Sequence, residues 1–292
     1  MKIAKKPTRL LITAMALLMA LILVLAGCGK SATQVSKVGV QNGTTGHIWC
    51  KENLAPKGII IKAYPGGQDC FTALAAGEVD AVIIDGPVAG NYTKQASYNA
   101  ENRGSIAGAD TENFGFAFPK GSDTLAAAVN QSLQHVIDNG TYEALYKQFI
   151  DDKNAPVMPS KVTTTTSVAQ NPLAHVIAGD AKTLTVATDA TFAPMEFMSS
   201  SNEFQGFDIE IMKAIAKDMG AEIKFVNVPW DALLTGLSTK SGEFDMSASS
   251  MTITAEREKT ILFSNPYFVS VQALAVPKGS AIKTVDDLVG NK

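Results

Sequence analysis

The fold is decided by the stretch Val79-Asp80-Ala81-Val82-Ile83-Ile84-Asp85, a short apolar run that ends in an acid. A continuous apolar run bounded by polar residues is typical of a strand buried on both faces. A predicted helix precedes it, from Gly66 through Ala76, and another follows it, from about Pro87 to Gln95. Because strand and helix alternate here, the sequence predicts a parallel α/β sheet.

The same alternation extends outward from this stretch in both directions. On the N-terminal side we expect strands at Lys37–Val40 and Ile59–Ala63, with a helix between them that ends near Leu54. On the C-terminal side, a strand at Phe114–Phe118 leads to two helices. The first is a long amphipathic helix from Asp123 that ends at Asn139-Gly140, and the second is Thr141–Phe149.

A second α/β block begins at Leu184, after a segment of weak signal. Pro156, Pro159 and Asn171-Pro172 argue against regular structure there, so residues 151–182 are predicted to be a linker. The block itself is predicted to contain strands and helices in alternation. We expect strands at 184–187, 223–226, 244–249 and 272–276, and helices at 207–219, 230–237, 254–259 and 284–288.

The N-terminus has the pattern of an export signal. Met1–Arg9 carries four basic residues and no acid, and an apolar run follows from Leu10 to Ala26. The run is near the lower limit for a membrane-spanning helix, which is the alternative interpretation. It ends at Leu25-Ala26-Gly27-Cys28, which resembles the lipobox of bacterial lipoproteins. That resemblance implies a signal peptide at 1–27, lipidation of Cys28 and a tether at 28–36.

Composition excludes one class of partner. The 292 residues are 46% hydrophobic and 18% charged, with a net charge of −3. This is ordinary for a globular protein, and no basic stripe suggests nucleic acid. Cys50 and Cys70 remain after Cys28, and they are either a disulfide or two small buried hydrophobic residues.

Five motifs then identify a family. In chain order they are Ala187-Thr188-Asp189-Ala190-Thr191-Phe192-Ala193-Pro194-Met195-Glu196-Phe197, Gly206-Phe207-Asp208-Ile209-Glu210, Val228-Pro229-Trp230-Asp231, Met251-Thr252-Ile253-Thr254-Ala255-Glu256-Arg257 and Phe263-Ser264-Asn265-Pro266-Tyr267-Phe268. These resemble the polar amino acid-binding proteins of ABC importers, the bacterial extracellular solute-binding proteins of family 3. The resemblance implies an α/β fold of the type II periplasmic-binding-protein class, with a ligand cleft between two lobes.

The family's second half comes first in this chain. Val38 to Gly46, Val79 to Asp85 and the helices over 124–149 resemble segments that follow Asp286 to Lys292 in the family. The sequence is therefore interpreted as a circular permutant, in which 151–182 joins the usual termini. Lobe two is then 37–118 plus 271–292, and lobe one is 119–150 plus 183–270. Permutation needs neighbouring termini, and a flexible linker of this length reaches roughly 30 Å. A fragment of a tandem array and a domain-swapped dimer are the alternatives to a permuted monomer.

The resemblance also assigns a ligand site. Arg257, five residues after Thr252, is expected to hold the ligand carboxylate with its planar fork. Thr252, Thr44 and Thr45 are expected to add hydrogen bonds, and Asp85 to bind the ammonium group. The competing interpretations are a solvated helix charge for Arg257 and a helix N-cap for Asp85.

The remaining candidates form the subsite for the ligand side chain. Phe192 and Trp230 are expected to sandwich it and Asp189 to pair with a basic group. The other expected contacts are Ser249, Ser250 and Gln41. Some binders of basic amino acids carry a glutamine where Gly46 stands, so one contact is in doubt. Arginine, lysine or histidine is favoured, with glutamine or another polar amino acid as the alternative.

We therefore expect a lipid-anchored receptor on the extracytoplasmic face of the cell membrane, which delivers a polar amino acid to an ABC permease. No cofactor, metal or catalytic residue is expected, because no nucleophile–base pair or metal-ligand spacing stands out. The alternatives are a sensor without a transporter and an enzyme similar to cyclohexadienyl dehydratases.

Overall fold

Two mixed sheets with flanking helices organise the described part of the chain. The computed structural model describes residues 35–151, 153–158 and 183–290. The predicted signal peptide 1–27, the lipidation site Cys28 and most of the tether and linker lie outside the described residues. The stretch Ser36–Gly290 forms one compact unit. No described helix combines the length and the apolar character that crossing a membrane requires.

The elements are numbered in chain order among the described residues. The helices are α1 Thr45–Asn53, α2 Gly67–Ala75, α3 Gly86–Thr93, α4 Asp123–Asp138, α5 Thr141–Phe149, α6 Phe207–Asp218, α7 Trp230–Thr239 and α8 Val285–Gly290. The strands are β1 Lys37–Gln41, β2 Ile60–Tyr64, β3 Ala81–Asp85, β4 Ala100–Ser105, β5 Thr111–Phe114, β6 Ala117–Pro119, β7 Thr183–Thr188, β8 Thr191–Phe192, β9 Glu196–Met198, β10 Phe204–Gln205, β11 Glu222–Asn227, β12 Met246–Ser247, β13 Ile261–Phe263 and β14 Phe268–Pro277. Short 3₁₀ turns lie at Ala55–Lys57, Ala96–Tyr98 and Arg257–Lys259.

The larger sheet has six strands in the order β2-β1-β3-β14-β4, with β5 also paired to β14. β1, β2 and β3 are parallel, as the alternation of strand and helix predicts. β14 runs antiparallel to β3, β4 and β5, so the sheet is mixed and only part of it is the predicted parallel sheet. All five residues of β3 are buried, because the sheet is covered on both faces.

The smaller sheet has five strands in the order β11-β7-β12-β6-β13. β11, β7 and β12 are parallel, and β6 is antiparallel to both β12 and β13. A separate three-stranded antiparallel sheet, β10-β9-β8, lies in the connection from β7 to α6. These short strands were not predicted, since two or three residues are too few to show a period.

The chain passes between the two main sheets at two places. The first passage is Gly115-Phe116, between β5 and β6, and the second is Ser264–Tyr267, between β13 and β14. The rings of Phe116 and Tyr267 stack there with centroids 4.2 Å apart. A Cβ at position 115 would lie 2.9 Å from Ile253 Cδ1, so a larger residue here would require the Ile253 side chain to move. The predicted lobe boundaries at 118/119 and 270/271 lie a few residues from these passages, and the division into lobes stays a prediction.

Several element predictions are corrected by the structure. The predicted strand 114–118 is two strands, because the chain changes sheets at Gly115. The predicted strand 244–249 shrinks to β12, and the predicted helix at 254–259 is the single 3₁₀ turn Arg257–Lys259. β4 was not predicted, because its sequence AENRGS has no apolar alternation and its pairing with β14 alone makes it a strand. Cys50 and Cys70 are free and buried, so they are the small hydrophobic residues of the competing interpretation.

Candidate functional site

A single pocket of about 310 Å³ contains every side chain that was predicted to contact a ligand. Its lining comprises those eleven residues and one more, Glu196: Gln41, Thr44, Thr45, Asp85, Asp189, Phe192, Glu196, Trp230, Ser249, Ser250, Thr252 and Arg257.

The carboxyl ends of the strands position most of these residues. Gln41 ends β1 and Asp85 ends β3 in the larger sheet, while Asp189 directly follows β7 in the smaller one. Parallel strands end at a common edge, where α/β sheets bind ligands. Each sheet therefore contributes one wall of the pocket.

Arg257 lies at the junction of the two walls. Its Nη1 donates to the Thr252 carbonyl at 2.9 Å and its Nη2 to the Gly43 carbonyl at 3.3 Å. Its guanidinium lies over the Trp230 ring, 5.3 Å from the centroid. Burial lowers the Arg257 pKa to about 10, while the charges of Glu112 and Asp85 oppose this shift, so the group is cationic at neutral pH. Arg257 is therefore not the solvated helix charge of the alternative interpretation.

The threonine hydroxyls converge on a carboxylate that was not predicted. Glu112, in β5, accepts hydrogen bonds at its Oε2 from Thr252 Oγ1 at 2.6 Å and from Thr45 Oγ1 at 2.9 Å. Its Oε1 accepts from Gln272 Nε2 at 3.1 Å. Thr44 instead caps α1, with its Oγ1 accepting from the His47 N–H at 3.3 Å. Glu112 thus holds together hydroxyls from the two walls of the pocket.

Asp85 is buried, with 6% of its surface exposed, although it is ionisable. It occupies the N-cap position of α3 but its side chain makes no capping hydrogen bond. Its Oδ1 accepts from Ser270 Oγ at 2.8 Å instead. Burial raises the pKa of Asp85 to about 8, and repulsion from Glu112 adds to this shift. The raised pKa favours the protonated carboxyl group at neutral pH in the ligand-free pocket.

Asp189 connects the two walls through Gln41. Gln41 Nε2 donates to Asp189 Oδ2 at 2.7 Å, and Thr191 Oγ1 donates to Oδ1 at 3.0 Å. Burial raises the Asp189 pKa to about 6, and these two hydrogen bonds oppose the rise. Asp189 is the carboxylate of the predicted side-chain subsite, where Phe192 and Trp230 are both almost fully buried.

Ser249 and Ser250 face a second pair of acids. Ser249 Oγ donates to Glu196 Oε1 at 3.2 Å and accepts from the Asp189 N–H at 2.9 Å. Ser250 Oγ lies 3.1 Å from Glu196 Oε2 and 3.3 Å from Asp208 Oδ2. The φ of Ser250 is +47°, in the left-handed region, and its N–H also donates to Asp208 at 2.8 Å.

Gln272 fills the space beside Gly46. A Cβ built at Gly46 would lie 2.6 Å from Gln272 Oε1, and Gln272 is only 1% exposed. A glutamine side chain at position 46 would therefore collide with one already present. Gln272, from the larger sheet's β14, thus places its side-chain amide beside Gly46.

Sequence reasoning missed Glu112, Gln272 and Glu196. Glu196 follows Pro194-Met195 in the first of the five family motifs. An acid within an apolar run indicates an acid that is buried and needs a polar partner. Glu112 gives no such signal, because it stands in a polar stretch whose pairing with β14 buries it. Within the described ranges, no group of three or more His, Cys, Asp or Glu is arranged to hold a metal ion.

Comparison with known proteins covers one part of the chain. Residues 184–289 match the model of a family described as bacterial extracellular solute-binding proteins, family 3. We call residues 184–289 the family-3 segment. The family-3 segment contains seven of the predicted ligand residues, namely Asp189, Phe192, Trp230, Ser249, Ser250, Thr252 and Arg257. Gln41, Thr44, Thr45 and Asp85 stand outside it.

Curated relatives match a portion of the chain of similar length. A probable histidine-binding protein of Neisseria gonorrhoeae is 40% identical over 111 residues, which are 38% of this chain and 41% of the relative. The ABC transporter arginine-binding protein 1 of Escherichia coli is 36% identical over 115 residues, 39% of this chain and 46% of the relative. The chain thus spans less than half the length of these relatives.

A solved structure described as an ancestral cationic amino acid solute binding protein is 44% identical to this chain over the matched residues. The match covers 27% of this chain and 33% of that one, with a TM-score of 0.25. An overlap this small carries no argument about the arrangement of the whole fold.

Proposed function

We propose that the protein binds a free amino acid in this pocket and acts as an extracytoplasmic receptor for an ABC importer. The observation that carries the proposal is the charge pattern of the lining. The cationic Arg257 and the buried Asp85 line the same small pocket. A zwitterion presents a carboxylate and an ammonium group, and burying either without a partner is costly.

The proposed ligand class is a cationic amino acid. The lining includes three acids, Asp85, Asp189 and Glu196, against the single cation Arg257. After the ligand's ammonium and carboxylate are paired with Asp85 and Arg257, acidic groups are left for a positive side chain. The Trp230 and Phe192 rings add faces that favour a cation. The histidine- and arginine-binding names of the relatives support the same class.

The binding role is proposed without catalysis, and its proposed partner is a permease. The relatives named above are described as binding proteins, one of them of an ABC transporter. A lipid anchor at Cys28 on the extracytoplasmic face of the membrane remains part of this proposal, and it rests on the sequence motif alone. We also propose a monomer as the binding unit.

Calorimetry with the twenty amino acids tests the receptor proposal. We expect arginine, lysine or histidine to bind the purified chain lacking residues 1–35. At a free concentration of 100 times the dissociation constant, the ligand adds about 2.7 kcal/mol to the free energy of unfolding. A chain that unfolds cooperatively but gains no stability from any amino acid contradicts the proposed function.

We further propose that the chain order is a circular permutation of the family's order. Support comes from the ends of the described unit, where Ser36 Oγ donates to the Leu288 carbonyl at 2.8 Å. The family-3 segment 184–289 follows, instead of preceding, the strands that complete the larger sheet. Neighbouring ends are what permutation requires.

A chain reordered as residues 183–292 followed directly by 36–158 tests the permutation. We expect it to bind the same amino acid with an affinity within about threefold, because the contacts are unchanged and loop closure contributes only small differences. The natural order 36–292 is the matched control. If the reordered chain fails to fold while the control folds, the permutation proposal is wrong.

A further inference from the structure

Two carboxyl groups, Glu196 and Asp208, lie against each other behind the pocket. Glu196 is 1% exposed and lines the pocket, while Asp208, in α6, is fully buried. Within the described part of the chain, no ion pair involves either group. Two ionised carboxylates in one apolar site repel each other, so such a pair keeps a proton.

The hydrogen bonds around Ser250 show where that proton belongs. Its Oγ lies within hydrogen-bond distance of both acids, at 3.1 Å from Glu196 and 3.3 Å from Asp208. A hydroxyl carries one hydrogen, so a full hydrogen bond to each acid needs a second hydrogen, which one of the acids can supply. The two contacts are therefore best satisfied when one carboxyl group of the pair is protonated.

Asp208 is the ionised member of the pair. Its Oδ2 accepts from Tyr267 Oη at 2.5 Å and from the Ser250 N–H at 2.8 Å. Donors of this kind stabilise a carboxylate. Glu196 has one further donor, Ser249 Oγ, on its Oε1. In this arrangement the Glu196 carboxyl group donates a hydrogen bond to Ser250 Oγ, and the Ser250 hydroxyl donates one to Asp208.

The charged surroundings agree with this assignment. The titratable groups that face Glu196 are Asp208, Asp189 and Tyr267, and Tyr142 also faces Asp208. Burial raises the pKa of Glu196 well above its ordinary value, and repulsion from the two aspartates raises it further. Burial raises the pKa of Asp208 only to about 6, since the hydrogen bonds from Tyr267 and Ser250 oppose the rise.

We propose that Glu196 and Asp208 hold one proton between them in the free protein, and that Glu196 gives up this proton when a cationic ligand side chain enters the pocket. The proposal rests on the proposed function. The O–H bond of Glu196 breaks, its electron pair stays on the carboxylate, and the proton leaves to the solvent. The incoming cation then pairs with the new carboxylate. A neutral side chain leaves the proton in place, so Glu196 determines specificity for charge.

The first experiment needs no ligand. In the ligand-free natural chain, through-bond assigned carbon-13 NMR of the Glu196 carboxyl carbon is expected to show the protonated form at pH 7. Glu203, which is exposed, is the internal control. If the Glu196 signal is that of a carboxylate at pH 7, the proposal is overturned.

The second experiment counts protons during binding. Calorimetry in two buffers of different ionisation enthalpy compares L-arginine with L-citrulline, its neutral analogue of nearly equal shape. We expect arginine to release about one proton more than citrulline in the natural chain. The difference is expected to vanish in Glu196→Gln and to persist in Glu203→Gln.

The outcomes separate this proposal from the receptor proposal. An equal difference in the Glu196→Gln variant and the natural chain overturns the role of Glu196. If neither arginine nor any other amino acid binds, the receptor function fails, while the NMR signal still decides whether Glu196 holds the proton. Because that signal is assigned in the natural chain, the decision does not depend on the folding of a variant.

Discussion

An Arg257→Ala variant is expected to lose amino acid binding by about two to three orders of magnitude. Removing one partner of a buried, hydrogen-bonded charge pair costs about 2–5 kcal/mol, and each 1.4 kcal/mol is about tenfold in the dissociation constant. The loss is large because Arg257 is the only cation among the residues that line the pocket. Isothermal titration calorimetry measures the dissociation constant directly.

The guanidinium geometry makes this prediction specific. Two of its five N–H donors bond the Thr252 and Gly43 carbonyls, which fixes the plane of the group across the two walls of the pocket. Arg257→Lys keeps the charge and loses the planar fork, so an intermediate loss is expected. Lys259→Ala is the matched control, because Lys259 lies in the same 3₁₀ turn with an exposed side chain that pairs with Glu256. Unchanged binding by Arg257→Ala would mean that the carboxylate is held elsewhere.

An Asp85→Asn variant is expected to gain stability and to lose binding. The amide has nearly the shape of a neutral carboxyl group and can keep the Ser270 hydrogen bond. The asparagine also removes the free-energy cost of ionising a buried acid. At pH 8 this cost is on the order of a few kcal/mol, because each unit of pKa shift corresponds to about 1.4 kcal/mol. The variant also lacks the negative charge proposed to pair with the ligand's ammonium group.

The pH dependence follows from the direction of the Asp85 shift. Its pKa rises from 3.8 to about 8 on folding, so the folded chain binds more protons than the unfolded chain between these two values. The contribution of Asp85 to the free energy of unfolding therefore falls as the pH rises from about 4 to about 8, and it is constant above that. In Asp85→Asn this contribution is absent.

Urea unfolding at pH 5 and at pH 8 checks this second prediction. We expect the variant to exceed the natural chain in unfolding free energy by more at pH 8 than at pH 5. Asp110→Asn, at an exposed position, is the matched control. A variant that is less stable than the natural chain at pH 8 would show that Asp85 is ionised in the ligand-free pocket.

Both predictions depend on a pocket in which buried acids outnumber the cations that could pair with them. Asp85, Asp189 and Glu196 each have a raised pKa, and for each of them burial is the largest cause. A protein that keeps such acids in one pocket gives up stability that a ligand restores, which is a common relation between stability and function.

Local sequence patterns predicted the long elements well. The helix Thr141–Phe149 has the predicted bounds, and Asp123–Asp138 and Phe207–Asp218 each differ from the prediction by one residue at the C-terminal end. These helices have apolar residues three and four positions apart, a period that depends only on the chain itself. The buried strand Ala81–Asp85 is likewise evident from its continuous apolar run.

The sequence by itself determined which motifs are present, and through them eleven of the twelve side chains that line the pocket. The tertiary structure alone decided the partners of those side chains. Glu112 meets Thr45 and Thr252 only because β5 pairs with β14. Gln272 meets Gly46 only because β14 lies beside β3. These contacts join residues far apart in the chain, and a local pattern carries no information about what packs against a residue from another strand. For the same reason, the sequence shows Glu196 as an acid in a motif but does not show the proton that we propose it shares with Asp208. That sharing depends on the two carboxyl groups meeting at Ser250.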